Sequence, residues 1–392
     1  MATSKNCSDG AELTQGNLST PASLCRKEEG LDRVKVIYYG LAVLATLLVG
    51  VTGLSLIESN QWWIRIWDFP RVQILVAMIV IALALAWVPA RASRRSRWVF
   101  VGALALAATW QLYRILPYTP FGPTEVALES DTPGIGADQC FSMLSLNVYQ
   151  SNRDYARTLD LIRRVDPDLV LLLETDHGWA SALEPVLSRY PHRLHQVMDN
   201  TYGLMFATRL PMAEGRIDAI IDRNTPSVFA QLSTRAGDEF EYIGLHPRPP
   251  VPGQDTDARD AEIATAARRA KAMKRPVLAN GDFNDVAWSH TSELFKRIGG
   301  YLDPRIGRGT YPTFPAGYPG FRWPLDHLFI TPEFRVHSLA VKESVGSDHL
   351  PVTARVCLAP EAPGRGAPAI SNEDREDVQE TVASPKAGGE EN

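Results

Sequence analysis

Three long apolar runs crowd the first third of the chain, and they limit what it can fold into more than any other feature. Residues 34–57 are apolar except for Lys35 and scattered Ser, Thr and Gly. Residues 72–90 are more apolar still, and residues 98–116 carry Gln111 and Arg114 near their end. Each run approaches the ~20 residues that cross the hydrocarbon of a bilayer. A buried soluble core is the poorer alternative, because charged hinges separate the runs. The third is the weakest, since Arg114 has to snorkel to an interface. We therefore expect a three-helix membrane anchor over 33–117. Lys/Arg bias sets its orientation. Arg91, Arg94, Arg95 and Arg97 crowd the second connection, and Arg26, Lys27, Arg33 and Lys35 lie before or at the start of the first span. The first connection has only Arg65 and Arg71, with Trp62, Trp63 and Trp67 suited to an interface belt. The tail and second connection are thus expected in the cytoplasm, and everything after Tyr118 on the outer side. That arrangement inverts if the third run does not span.

The flanks read differently. Residues 1–32 are Ser/Asn/Gly/Thr-rich without apolar periodicity, which predicts a disordered tail. A cleavable signal peptide fits poorly, because the apolar run begins late and is too long. Residues 118–139 read as a Pro/Gly/Thr/Asp-rich linker, and 359–392 as a second disordered tail. Between them, 140–358 look like one globular domain. It holds 25 Lys/Arg against 26 Asp/Glu, so it has no basic field to grip duplex DNA non-specifically. None of the four cysteines, Cys7, Cys25, Cys140 and Cys357, stands in a CxxC pair, which argues against a zinc knuckle or a thioredoxin motif.

Within 140–358, CFSMLSLN reads as a strand, and residues 169–173 are a continuous apolar strand of a sheet covered on both faces. Tyr155, Leu159, Ile162 and Val165 follow a helical period after Asp154. Further strands are expected near 203–207, 216–221, 227–233, 239–245, 276–280, 323–330, 335–341 and 351–358. Helices are expected at 179–189, 257–274 and 292–298. Hairpin-like spacing among these favours α+β, with two packed sheets flanked by helices, over a βαβ repeat.

Polar residues stand at the ends of these apolar strands: Asn147 after LSL, Glu174 after LVLLL, His246 after YIGL, and Asp282 with Asn284 in LANGDFND. Asp326 with His327 opens LDHLFI, and Asp348 with His349 falls in GSDHLPV. One such residue is commonplace. Six sites in one domain are not, because a charge at a buried strand end needs a partner or a metal. The ordered set, with GDFN and SDHLPV as its most specific pieces, resembles the endonuclease/exonuclease/phosphatase superfamily. The resemblance covers 140–358 and implies a four-layered α/β sandwich of the deoxyribonuclease I type, here preceded by three transmembrane helices.

By that resemblance Glu174 is the principal Mg²⁺ ligand (Mn²⁺ being possible), with Asn147 beside it and Asp348 close to the metal. Asp282 takes the proton of the attacking water and Asn284 orients that water. His349 contacts the scissile phosphate and is oriented by Asp326, while His246 binds a phosphoryl oxygen. Asp285 reads as a helix cap, and His327 as a packing residue beside Asp326. The chain departs from the repair nucleases at Tyr149, where an acid is common, and at Leu173, where Gln usually precedes the metal-binding Glu. Both departures weaken a DNA-repair reading. If the first and last strands pair antiparallel with Asn147 opposite Leu350, the same register sets Cys140 opposite Cys357. A cross-strand disulfide is then possible in an outer compartment.

The expectation is a membrane-anchored phosphodiesterase whose partners are the lipid bilayer and a phosphate-ester substrate, either nucleic acid or a phospholipid head group. The alternative is a catalytically inactive, membrane-bound binding module of the same fold.

Overall fold

The computed structural model describes residues 21–88, 94–132, 134–359 and 366–383. The chain forms two compact units, one from 1–56 and 72–112 and the other from 57–71 and 113–392. The first holds most of helices α1 (Pro21–Leu54), α3 (Arg71–Trp87) and α4 (Arg94–Ile115), while α2 (Trp62–Arg65) belongs to the second.

Two helices, Arg33–Leu54 and Arg94–Tyr118, are long and apolar enough to cross a membrane. The pair Trp62–Asp68 and Arg71–Trp87 is bent by 71° and brings the number to three if it counts as one span. The short member is therefore the second run, not the third. At 17 residues, α3 rises about 25 Å, against a hydrocarbon thickness of about 30 Å. Arg114, in the second unit, does not depend on snorkelling, because its guanidinium donates to the Trp288 carbonyl. Inside the first unit, Gln111 Nε2 donates to Thr52 Oγ1 at 2.9 Å, a buried bond between two helices. Helix α1 begins at Pro21, so residues 21–32 are helical rather than tail. The rest of the expected tail, 1–20, lies outside the described residues.

In the second unit the chain runs β1 (Cys140–Asn147), α5 (Tyr155–Val165), β2 (Leu169–Leu173), α6 (His177–Leu187), β3 (His192–Gln196) and β4 (Leu204–Thr208). It continues through β5 (Met212–Ala219), β6 (Pro226–Ser233), β7 (Glu239–Leu245), α7 (Asp257–Met273), β8 (Val277–Asp282) and α8 (His290–Gly299). β9 (Asp326–Ile330), β10 (Phe334–Val341), β11 (Val352–Leu358) and α9 (Asn372–Ala383) follow. Six strands make one sheet in the order β10-β11-β1-β2-β4-β3, and five make the other, β5-β6-β7-β8-β9. Phe141, Leu171, Phe206, Tyr242 and Leu278 pack between the sheets. Apolar faces of α5 and α6 cover the outer side of the first sheet, and those of α7, α8 and α9 cover the second. This is the four-layered sandwich. Its central strands β1–β2 and β7–β8 pair in parallel, which is why β2 is apolar throughout and wholly buried.

β1 and β11 pair antiparallel with Cys140 opposite Cys357. The two form a disulfide with Cα atoms 3.9 Å apart. Edge strand β3, HRLHQ, escaped the sequence reading because it has no apolar run. The expected linker is packed: Val126 enters the core, Leu128 bridges to Val336, and Glu125 pairs with Lys296 at 3.2 Å. In the expected C-terminal tail, α9 docks through buried Val378 and an Arg297–Asp374 pair at 2.8 Å. Val378 with partly buried Val382 is too short an apolar series to show as periodicity.

Candidate active site

Strand ends of both sheets converge. β8 and β9 pair antiparallel with Asp282 opposite Asp326. Two carboxylates facing each other repel, and His349 resolves this by lying between them. Its Nδ1 is 2.8 Å from Asp326 Oδ2 and its Nε2 3.4 Å from Asp282 Oδ2. His246, at the end of β7, brings Nε2 within 3.9 Å of the same Asp282 oxygen. From the other sheet, Asn147 Nδ2 donates to Glu174 Oε1 at 2.8 Å and to Asp282 Oδ2 at 3.2 Å. This amide joins the two halves of the site.

The backbone is bent to present these groups. Gly281 has φ 140°, and a Cβ there would lie 2.0 Å from the Leu245 carbonyl oxygen, so only glycine lets β8 lie against β7 at this point. Glu174, Asn284 and Tyr149 all adopt left-handed conformations, with φ of 61°, 49° and 58°. Such strain in non-glycine residues gathers at functional sites. Local hydrogen bonds hold it: Gln150 N donates to Glu174 Oε2 at 3.1 Å, Tyr149 N to Asn147 Oδ1 at 3.0 Å, and Asn284 N to Asp282 Oδ1 at 2.9 Å. Asn284 Nδ2 donates to the Pro247 carbonyl at 2.9 Å.

The electrostatics follow from burial and neighbours. Burial raises the pKa of Glu174, Asp282 and Asp348 above the usual carboxylate range, and carboxylates nearby add to it. Burial alone would lower His349, but Asp326 and Asp282 more than offset it and push it up to about 10, so it is a cation at neutral pH. Burial lowers His246 to about 4 despite Asp282, so it is a neutral imidazole, and its buried Nδ1 has no protein partner among the described residues. The two histidines that face the same Asp282 oxygen are thus held in different charge states.

A family model for the endonuclease/exonuclease/phosphatase family matches residues 144–349, just over half of the chain. The chain belongs to this family. Similar solved structures include humanized D. rerio TDP2 with 14 mutations, at 17% identity and TM-score 0.44, covering 56% of this chain and 99% of that one. An endonuclease/exonuclease/phosphatase from Bacteroides vulgatus matches at 18% identity and TM-score 0.46, covering 56% and 99%. The human Nocturnin catalytic domain with bound sulfate matches at 16% and 0.46, covering 56% and 95%. No curated protein matches the chain. Family membership makes the chain a hydrolase of phosphoester bonds by class.

The donor chemistry fits a divalent cation. Glu174, Asp282 and Asp348 offer carboxylate oxygens, the ligand type Mg²⁺ prefers, and burial raises the pKa of all three. Ligand atoms of Asp282, Asp326 and His349 also lie within 4.8 Å of one another, a geometry that can hold a metal. The hydrogen bond between His349 and Asp326 already uses two of those atoms. The cysteine pair beside Glu129 is spent on its disulfide.

The convergence takes in Asn147, Glu174, His246, Asp282, Asn284, Asp326 and His349. Asp348 adjoins, close enough for the Glu174 and Asp282 charges to raise its pKa. His327 does not join them. Its ring is held by Arg305 at 3.0 Å and the Asp285 carbonyl at 2.9 Å. Asp285 binds Ser289 Oγ, the cap of α8, at 2.5 Å. Sequence reasoning missed Ser347, whose Oγ donates to Asn147 O at 2.7 Å and accepts from His349 N at 3.0 Å. It also missed the support given by Gln150. The SDH motif contained the first signal; a lone Gln in a turn carries none.

Proposed function

We propose that the chain is a membrane-anchored, Mg²⁺-dependent phosphoesterase that hydrolyses phosphodiester bonds in nucleic acid or a phospholipid head group, with Mn²⁺ as a substitute metal. One observation carries the reading: the Asp282 carboxylate sits between a cationic His349 fixed by Asp326 and the Asn147–Glu174 pair. Glu174 would hold the metal, with Asn147 and Asp348 beside it. When bound, the ion supplies Lewis-acid polarisation of the phosphoryl oxygens. Asp282 accepts the proton of the attacking water, and the burial that raises its pKa makes it a stronger base. Asn284 commits Nδ2 to Pro247 and keeps Oδ1 to orient the water. His349 offers positive charge to the phosphate as negative charge develops there. His246, neutral, donates a hydrogen bond to a second phosphoryl oxygen. The rival, an inactive binding module, leaves this complete set without a purpose.

Topology supports a multi-pass protein. Residues 57–71 pack in the same unit as the catalytic sandwich, with Thr256 N donating to the Asn60 carbonyl at 2.8 Å. Both therefore lie on one side of a membrane, and the number of crossings between them is even. If α4 crosses, α3 crosses as well. Lys/Arg bias and the Cys140–Cys357 disulfide favour the outer side.

The test is hydrolysis by the purified full-length protein in detergent, with Mg²⁺ or EDTA. The panel is bis-p-nitrophenyl phosphate, single-stranded DNA, plasmid and sphingomyelin. Mg²⁺-dependent turnover that Asp282→Ala lowers about 10³-fold or more is expected. No Mg²⁺-dependent, Asp282-dependent turnover of any of them would refute the reading.

A further inference from the structure

Residues 57–71 lie between the first two apolar helices, more than 180 positions from the catalytic loop 282–288 in sequence, yet they are built into its support. Three sets of contacts link them to the site. The first is polar. Asn60 bonds Asp257 at 3.0 Å and receives Thr256 N at 2.8 Å, which fixes the N-terminus of α7. One turn on, buried Arg259 binds Asp260 at 2.9 Å through Nε and donates from Nη1 to the Asn284 carbonyl at 2.9 Å. Arg65, also buried, donates to Thr291 Oγ1 at 3.0 Å. Burial opposes the charge of Asp260, but Arg259 and Arg65 together hold its pKa below the usual range.

The second set forms a floor. Phe69 and Tyr118 pack with Val286, Ala287, Trp288 and Leu325, under the loop that follows Asp282. Trp288 Nε1 donates to the Asp68 carbonyl at 2.7 Å, and the Tyr118 hydroxyl donates to the Ala287 carbonyl at 2.7 Å. The third set is aromatic. Phe69 meets Trp323 edge-on at 5.8 Å, Trp323 meets Phe314 at 6.3 Å, and Phe314 lies 4.8 Å from the ring of His349. The segment thus reaches the backbone of Asn284 and the ring of His349, one on each side of Asp282.

We propose that Arg65, Asp68 and Phe69 are positioning residues of the active site, so that the hydrolytic centre is complete only with the 57–71 segment docked beneath it. None of them touches the reacting atoms. Phe69 acts on His349 through Trp323 and Phe314, Asp68 on the loop after Asp282 through Trp288, and Arg65 through Thr291 and Asp68. Misplacement of catalytic groups by about 1 Å can cost about 10²-fold in rate, so a partial loosening is expected to lower kcat without weakening substrate binding. This inference rests on the hydrolytic reading above and makes residues 57–71 part of the catalytic apparatus.

The test uses full-length protein in detergent, bis-p-nitrophenyl phosphate and Mg²⁺. Wild type and Asp282→Ala establish the hydrolytic reading independently. Arg65→Ala and Phe69→Leu should each lower kcat about 10-fold with KM within about twofold, and Arg65→Lys should restore part of the loss. Trp288→Phe keeps an aromatic ring but deletes the donor to Asp68 and part of the buried indole, and it should lower kcat about threefold. Gln61→Ala, on an exposed position of the same segment, should match wild type. Thermal melts accompany each variant. If Trp288→Phe and Arg65→Lys keep wild-type kcat, or if kcat falls only when the melting temperature nears the assay temperature, the segment is merely structural and the inference is overturned. Wild-type turnover would still uphold the hydrolytic reading.

Discussion

The two sheets bring unlike halves to the site. The six-stranded sheet supplies Asn147 and Glu174, with Asp348 and His349 from the turn before β11. This half is held by the turns of its own sheet: Gln150 N on Glu174, and Ser347 Oγ between Asn147 O and His349 N. The five-stranded sheet supplies His246, Asp282, Asn284 and Asp326. Its loop after Asp282 rests on groups from elsewhere, Arg259 on α7 and then Asp68, Phe69 and Tyr118 beside the apolar helices. One half is held within its own sheet and is rich in acid. The other leans on groups outside its sheet and handles protons. Both close long stretches of chain, since Ser347 meets Asn147 across 200 positions and Trp288 meets Asp68 across 220, and each therefore carries a large loop-closure cost.

Separate perturbations of the halves test that division. Glu174→Gln should have the largest effect, about 10³-fold in kcat/KM, with a loss of response to Mg²⁺ in a titration of activity. Asp326→Asn should cost about 10²-fold in kcat while the Mg²⁺ dependence stays as in wild type, since it unfixes His349 and leaves Glu174 alone. If both variants alter the metal titration alike, the halves are not separable. Replacing Cys140 and Cys357 together by Ser should cost about 2–5 kcal/mol of stability in denaturant titrations, with little change in kcat, because the disulfide lies at the end of β1 away from Asn147.

The smallest effect concerns Glu262 on α7, behind the five-stranded sheet. Burial raises it to about 8 in spite of hydrogen bonds from Thr225 Oγ1 at 2.8 Å and Ser227 Oγ at 3.3 Å. The folded pKa exceeds the usual 4.5, so the folded state binds the extra proton. Its contribution to stability is full below about pH 4.5 and is lost as pH rises through about 8. Glu262→Gln should flatten this dependence, melting a few degrees above wild type at pH 9 and near it at pH 5.

Much of the site was legible in the sequence because each of its polar residues ends or opens an apolar strand. A carboxylate after LVLLL is conspicuous on burial grounds alone, and so is Asp282 after an apolar run with glycine before it. The register of the first and last strands was legible too, and with it the Cys140–Cys357 pair. Edge strand β3 and helix α9 were not, since each has too few apolar residues to show a period. Residues 57–71 differ again: their three tryptophans between apolar runs read as an interface belt, and no local pattern announced the contacts that Arg65, Asp68 and Phe69 make with the catalytic unit.

The sequence by itself determined the division into apolar helices and an α+β domain, and which polar side chains stand at strand ends, because burial and periodicity act between residues close in the chain. Only the tertiary structure decided that Asp282 and Asp326 face each other across β8 and β9 with His349 between them. It also decided that Arg65 meets Thr291 across 226 positions. Such meetings follow from sheet order and from the packing of one loop under another, and no local pattern encodes either.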